Sequence, residues 1–160
     1  MRVHQSMLRP QVTTALREAS TTYLAKKGYS VHHEVGLVQR GRLKADLWAF
    51  TTKLSTCLVE IKSCWQDYAT DKKWQAYSNH AHKKYLCITH LLHTSHPELA
   101  STVRDHGWGL LVLGSDGRIS CKVNAKHTEC PMTLIKPVVI KLAYRSGKHR
   151  HNTRRRKILI

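Results

Sequence analysis

Acidic residues are scarce in this sequence of 160 residues. Asp and Glu together number 10 against 27 Lys and Arg, which gives a formal net charge of +17. A charge imbalance of this size costs self-repulsion and is usually tolerated because the partner is a polyanion. The composition therefore favours nucleic acid as the partner. An anionic membrane surface is the second candidate, and a protein that is basic for another reason, such as association with ribosomes, is the third.

Long apolar runs and regularly spaced cysteines are also missing. No stretch approaches the ~20 apolar residues that a membrane span needs, and residues 1–8 lack the apolar core of a secretory signal. The odd number and irregular spacing of the cysteines argue for reduced thiols. The five are Cys57, Cys64, Cys87, Cys121 and Cys130. We therefore expect an intracellular protein, cytoplasmic or associated with the nucleoid, with no membrane partner.

The first half of the chain predicts a helix followed by a mixed sheet, in a single α/β domain. The pattern predicts helices at 10–27 and 67–83, with strands at 29–38, 43–50, 56–62 and 85–89. The first three strands should form an antiparallel meander. A crossover helix joins the third strand to the fourth, so this pair should be parallel.

The second half of the chain predicts a further hairpin. Residues 90–96 are expected to form a loop, and a short helix should begin at Pro97. The apolar strand 107–114 is followed by the tight turn Ser115-Asp-Gly117 and a partner strand at 118–123, and 124–131 should be loop. Residues 134–144 combine apolar residues with Pro137, and the sequence leaves helix and strand open there.

Two carboxylates and an amine are expected to meet at the ends of the second and third strands. Glu60 and Lys62 flank Ile61, and a strand places alternate side chains on one face. Asp46 lies in the neighbouring strand. Mg²⁺ or Mn²⁺ prefers hard oxygen ligands, so Asp46, Glu60 and the carbonyl of Ile61 would suffice to hold it. A structural ion pair between Asp46 and Lys62 is the simpler alternative.

Basic residues around this motif and at the C-terminus are candidate phosphate contacts. Residues 1–143 should form the folded domain, and 144–160 a basic tail of the kind that is normally disordered when free. The alternative for the tail is a solubilising or localising segment. The candidate nucleic-acid-binding residues are Arg40, Arg42, Lys44, Lys73, Arg145, Lys148, Arg150, Arg154, Arg155 and Arg156.

Aromatic residues are concentrated just after Lys62. Trp65, Tyr68, Trp74 and Tyr77 all lie in or beside the predicted helix at 67–83. Such rings can stack on nucleic-acid bases. On an amphipathic helix they more often belong to the core, and the sequence does not separate the two roles.

The order of these elements and motifs resembles the PD-(D/E)xK nuclease superfamily, which has a restriction-endonuclease-like fold. The string EIKSCWQDYATDKKWQAYSNHAHKKYLCIT and the later GWGLLVLGSDGRIS resemble more closely the MmcB-type DNA repair family. The resemblance implies a three-layer core with a central mixed β-sheet flanked by helices. It implies a metal-dependent deoxyribonuclease in DNA repair, recombination or DNA processing.

By motif position, the resemblance assigns catalysis to Asp46, Glu60 and Lys62, with Glu18 as the carboxylate of the first helix. Ala45 stands where the superfamily often has proline. Because some members have lost catalysis, a catalytically inactive DNA-binding accessory protein with the same fold is the alternative. An RNA-binding protein with an accidental triad is a third hypothesis. A homodimer stays open, as do the structure of the DNA and the mode of cleavage.

Overall fold

The computed structural model describes residues 8–38, 43–70, 76–77 and 79–147, and within them the chain alternates helices and strands. The elements are α1 (Arg9–Lys26), β1 (Ser30–Gly36), β2 (Lys44–Phe50), β3 (Thr56–Ile61), α2 (Trp65–Thr70), β4 (Lys83–Thr89), α3 (His90–Ser95), α4 (Glu98–Asp105), β5 (Gly109–Leu113), β6 (Ile119–Val123) and α5 (Met132–Ser146). None of the helices in these ranges is long and apolar enough to cross a membrane.

The six strands form one mixed sheet whose spatial order follows the chain, from β1 to β6. The β1–β2 and β2–β3 pairs are antiparallel, as the predicted meander requires. The β3–β4 and β4–β5 pairs are parallel, and β5–β6 is an antiparallel hairpin. The predicted α/β class with a central mixed sheet is therefore confirmed.

Helices cover both faces of this sheet and make a three-layer core. On one face α1 packs on strand residues that are fully or nearly fully buried. This cluster includes Leu16, Leu24, Leu47, Val59, Cys87 and Leu111. On the opposite face α4 and α5 supply the cover, and the cluster includes Trp48, Leu58, Leu86, Leu110, Leu99, Val103, Ile135 and Leu142. Two separate apolar clusters on a single sheet are the expected result of helices on both sides.

The third strand is buried at every position, which suits a strand with neighbours on both sides and helices on both faces. One of its residues is nevertheless a carboxylic acid, since Glu60 is 5% exposed. A buried carboxyl group is costly unless it is hydrogen-bonded, paired or protonated. Apolar packing therefore does not explain why Glu60 lies at this position of β3.

Two of the predicted elements are wrong. The helix predicted at 67–83 does not reach Lys83, because Lys83 begins β4 and pairs with Cys57 of β3. Residues 71–75 and 78 lie outside the described residues. The loop predicted at 90–96 is the helix α3, because the Thr89 hydroxyl accepts a hydrogen bond from the Leu92 N–H at 3.1 Å and caps the first turn.

The segment that the sequence left open is helical. Pro137 lies inside α5 at an exposed position, while Ile135, Val138 and Leu142 form the buried stripe. The helix continues to Ser146, so the expected boundary between residues 143 and 144 falls within it. Residues 148–160, which make up most of the expected tail, lie outside the described residues.

We expect Leu16→Ala to destabilise the fold by about 2–5 kcal/mol, because the substitution opens a cavity between α1 and the sheet. Leu16 is fully buried, whereas Thr22 is an exposed position of the same helix. Thr22→Ala should change the free energy of unfolding by no more than about 0.5 kcal/mol. Urea denaturation measures both, and equal losses would contradict the packing of α1 on β2 and β3.

Candidate active site

A cleft of about 530 Å³ opens at the carboxyl end of β3. It is lined by Arg9, Thr13, Glu34, Lys44, Asp46, Glu60, Ile61, Lys62, Asp67, Thr70 and Tyr77. These residues come from α1, β1, β2, β3, the residue that directly follows β3, α2 and the segment before β4. The cleft thus unites Asp46, Glu60 and Lys62, as the sequence predicted.

Two hydrogen bonds between side chain and backbone tie Asp46 to the Glu60–Ile61 end of β3. The Ile61 N–H donates to Oδ2 of Asp46 at 2.7 Å, and the Asp46 N–H donates to Oε1 of Glu60 at 3.2 Å. The antiparallel pairing of β2 with β3 is regular only from Leu47–Val59 onward. Beyond that pair, the N–H groups of Asp46 and Ile61 donate to carboxylates instead of to backbone carbonyls of the opposite strand. These hydrogen bonds fix the two acidic side chains between the ends of β2 and β3.

This arrangement disfavours negative charge on both acids. Burial raises the pKa of Asp46, while the hydrogen bond from the Ile61 N–H opposes that rise. Burial is the main cause that raises the pKa of Glu60 to about 8, and the charge of the neighbouring Asp46 carboxylate is the second. When two carboxyl groups share one site, the charge of the first disfavours ionisation of the second. Metal-free protein should therefore hold a proton on this pair near neutral pH.

Lys62 lies in the same cleft and is 5% exposed. Its backbone N–H donates to the Cys87 carbonyl at 3.0 Å, which extends the parallel pairing of β3 with β4 by one residue. The position of this lysine is therefore set by the sheet rather than by a free loop. Its charge lowers the pKa of both Asp46 and Glu60.

The residues present suit Mg²⁺ or Mn²⁺. Asp46 and Glu60 offer hard carboxylate oxygens, and Ile61 between Glu60 and Lys62 lines the cleft as well. A divalent cation would also offset the burial, and the charge of a neighbouring carboxylate, that raise the pKa of each acid. Across the described ranges, no group of three or more His, Cys, Asp or Glu side chains is arranged to hold a metal. An ion held by Asp46 and Glu60 would therefore complete its coordination with a backbone carbonyl and water.

Glu34 is a cleft residue that the sequence did not indicate. It has a backbone φ of +52°, which is uncommon for a residue other than glycine. Its carboxylate pairs with Arg17 at 3.2 Å and with Lys44 at 3.3 Å, and its charge raises the pKa of Asp46. The pairs Val35–Ala45 and His33–Leu47 place Glu34 across from Asp46. Only the register of β1 against β2 could have revealed this.

Glu18 is not brought to this cleft. It lies at an exposed position of α1 and lines a separate cavity of about 360 Å³ together with Arg118 and Ile119. The charged residue that α1 contributes to the cleft is instead Arg9, which forms an ion pair with Asp67. Asp67 in turn accepts hydrogen bonds from the Ser63 N–H at 3.2 Å and from the Ser63 hydroxyl. Asp67 therefore anchors the segment that directly follows Lys62.

Of the candidate nucleic-acid-binding residues, two are described. Lys44 lines the cleft, and the Arg145 guanidinium donates to the His33 carbonyl at 2.8 Å, beside Glu34. The others lie outside the described residues; they are Arg40, Arg42, Lys73, Lys148, Arg150, Arg154, Arg155 and Arg156.

A family model described as "DNA repair protein MmcB-like" matches residues 3–147. The chain belongs to the MmcB-like DNA repair family. The match includes every residue that lines the cleft. It confirms the resemblance first seen in the string from Glu60 to Thr89. No match among the curated proteins accompanies it.

A similar solved structure supports the fold of this MmcB-like chain. The SPO1766 protein of unknown function from Silicibacter pomeroyi aligns with a TM-score of 0.67 at 18% identity, over 96% of this chain and 92% of that one. An XisH family protein from Nostoc punctiforme has a TM-score of 0.48 at 12% identity, over 69% and 99% of the two chains. An fdxN element excision controlling factor protein from Anabaena variabilis has a TM-score of 0.46 at 15% identity, over 67% and 96%. The two lower TM-scores are too small to carry an argument.

We expect Glu60→Gln to remove part of the pH dependence of stability in the MmcB-like protein. The pKa of Glu60 is higher in the folded state than the usual unfolded value near ~4.3, so the folded state binds more protons between that pH and about 8. Stability contributed by this group must therefore fall as the pH rises through this window. The amide of the variant resembles the protonated acid. The stability of the variant relative to wild type should therefore increase as the pH rises.

Urea denaturation from pH 5 to pH 8.5 in EDTA measures this difference. Asp105→Asn, which removes an exposed carboxylate at the end of α4, serves as the control. A difference between wild type and Glu60→Gln that stays constant with pH would contradict the raised pKa of Glu60.

Proposed function

We propose that this protein is a deoxyribonuclease that hydrolyses DNA phosphodiester bonds with Mg²⁺ or Mn²⁺, on a PD-(D/E)xK-type site. One observation carries the proposal. The Asp46 and Glu60 carboxyl groups are locked to each other's strands by reciprocal hydrogen bonds, with Lys62 in the same cleft. Acids with raised pKa values in a cleft are typical of functional sites. Membership of a DNA repair family supports DNA as the substrate.

Each group has a role that its position supports. Asp46, Glu60 and the carbonyl of Ile61 would hold the ion. When bound, the ion would supply an activated water and neutralise charge on the phosphate. Lys62, held by the sheet, adds a positive charge beside the two carboxylates and stabilises the charge that builds on the phosphate oxygens. Glu34 helps to hold Arg17 and Lys44 at the rim of the cleft.

The charge of the protein supports binding of a polyanion at this cleft. The net charge is +17, and Arg9 and Lys44 contribute cations to the lining. Phosphate contacts of this kind position a nucleic acid without reading its sequence, and they make binding steeply dependent on salt. The basic C-terminal residues would extend this contact beyond the cleft.

We expect Asp46→Asn and Lys62→Ala each to lower the rate of DNA cleavage by at least about 100-fold, because each removes charge from the reacting centre. The measurement uses labelled duplex, single-stranded and branched DNA with Mg²⁺ or Mn²⁺, and EDTA should abolish cleavage. Cleavage that persists in EDTA or in either variant would contradict the proposal. Tight binding without cleavage of any of these substrates would favour the catalytically inactive DNA-binding accessory protein.

Glu18→Gln is the matched control. It tests whether Glu18, like Asp46, takes part in cleavage. Glu18 lies in a cavity apart from the cleft, so its substitution should leave the cleavage rate within about twofold of wild type. A loss as large as that of Asp46→Asn would restore Glu18 to the catalytic set that the sequence suggested.

A further inference from the structure

An aromatic row lies beside the cleft at the carboxyl ends of the parallel strands. Trp65 begins α2, shortly after β3 ends, and its ring stacks on that of His96 with centroids 3.8 Å apart and planes 11° apart. Tyr68 lies on the row at 5.4 Å from Trp65, tilted by 35°. His96 directly follows α3, the helix that begins where β4 ends. Segments that leave two neighbouring strands thus converge on one group of rings, in which Trp65 is exposed and Tyr68 and His96 are half-buried.

The exposure of Trp65 sets it apart from the core tryptophans. Trp48 and Trp108 are 0% and 2% exposed and belong to the apolar core, whereas Trp65 is 38% exposed. Its ring therefore combines a fixed plane, set by the stack on His96, with surface left open to solvent. A fixed, partly exposed aromatic ring of this kind, beside a cleft that contains Lys62, suits the face of a nucleic-acid base.

The short separation along the chain keeps Trp65 close to the cleft. Trp65 follows Lys62 by three residues, so their Cα atoms are at most about 11 Å apart. The short helix α2 also contributes Asp67 and Thr70 to the cleft. Around that helix, at about 100° per residue, Trp65 lies on the flank away from Asp67. A strand whose phosphate lies near Lys62 would pass over the first turn of α2 to reach the ring.

We propose that Trp65 is a stacking platform for an unpaired base of the DNA strand that enters the cleft, which makes DNA with a single-stranded portion the substrate class. In a duplex both faces of a base are covered by its neighbours, so a base must leave the stack to lie on the indole. His96 holds the plane of that indole. The placement of the strand rests on the proposed function, but the binding of the base requires no cleavage.

The first test uses wild-type protein and removes only the bases. A single-stranded oligothymidylate of about 12 nucleotides and an abasic strand of the same length carry the same phosphates. Binding is measured in EDTA by fluorescence anisotropy. The abasic strand should bind about 5- to 150-fold more weakly, the range expected for loss of stacking on an aromatic side chain. Equal affinities for the two strands would overturn the proposal.

The second test assigns the effect to Trp65. In Trp65→Ala the preference for oligothymidylate over the abasic strand should shrink to within about twofold, while Trp65→Phe keeps most of it because phenylalanine still stacks. Met132→Ala removes another exposed apolar side chain, 51% exposed at the start of α5, and should keep the full preference. A preference that survives in Trp65→Ala would also overturn the proposal.

The outcome is distinct from that of the nuclease proposal. Asp46→Asn removes a carboxylate of the cleft and leaves the aromatic row intact, so it should retain the preference for oligothymidylate even where cleavage is lost. If no variant or wild type cleaves DNA, the binding experiment still decides the role of Trp65. If cleavage depends on Asp46 and Lys62 but the abasic strand binds as well as oligothymidylate, the stacking platform alone is wrong.

Discussion

The paired hydrogen bonds between Asp46 and the strand of Glu60 are the constraint on which the site depends. At this point β2 and β3 cease to pair through their backbones. Each carboxyl group accepts a hydrogen bond from an N–H of the opposite strand, which would otherwise have donated to a backbone carbonyl. Buried backbone donors need such partners. The same two groups thus close the hydrogen bonding of the sheet and line the cleft. Packing of α1 on one face and of α4 and α5 on the other holds the strands in place around them.

The electrostatics of this pair differ from those of the rest of the molecule. A chain with a net charge of +17 places two of its 10 acidic residues side by side, Glu60 buried and Asp46 half-buried, and loss of solvent raises the pKa of both. Apolar residues at these positions would pack without that cost. The proposed divalent cation, shared by the two acids, would offset that cost. The charge of Lys62 lowers the pKa of Asp46, whereas the charge of Glu34 raises it. Glu34 itself pairs with two cations, Arg17 and Lys44.

Much of the fold and the central triad could be predicted from the sequence, because they depend on local patterns. Apolar runs marked the strands, and the spacing of Glu60 and Lys62 about Ile61 marked the end of β3. The helix α3 was missed although the Thr89 hydroxyl, which caps its first turn, was a signal for it. The end of α2 and the role of Glu34 could not be predicted. Lys83 joins β4 through pairing with Cys57, and Glu34 meets Asp46 through strand register, both of which are tertiary properties.

The central claim is that Asp46 and Glu60 share one divalent ion, and binding of Mn²⁺ without DNA tests it most directly. Electron paramagnetic resonance counts free Mn²⁺ during a titration of wild type, Asp46→Asn, Glu60→Gln and the double variant. We predict one site in wild type, weakened by at least about tenfold in either single variant, with little further loss in the double variant because the two ligands act on one ion. Binding that is unchanged in a single variant, or losses that simply add, would contradict the shared site.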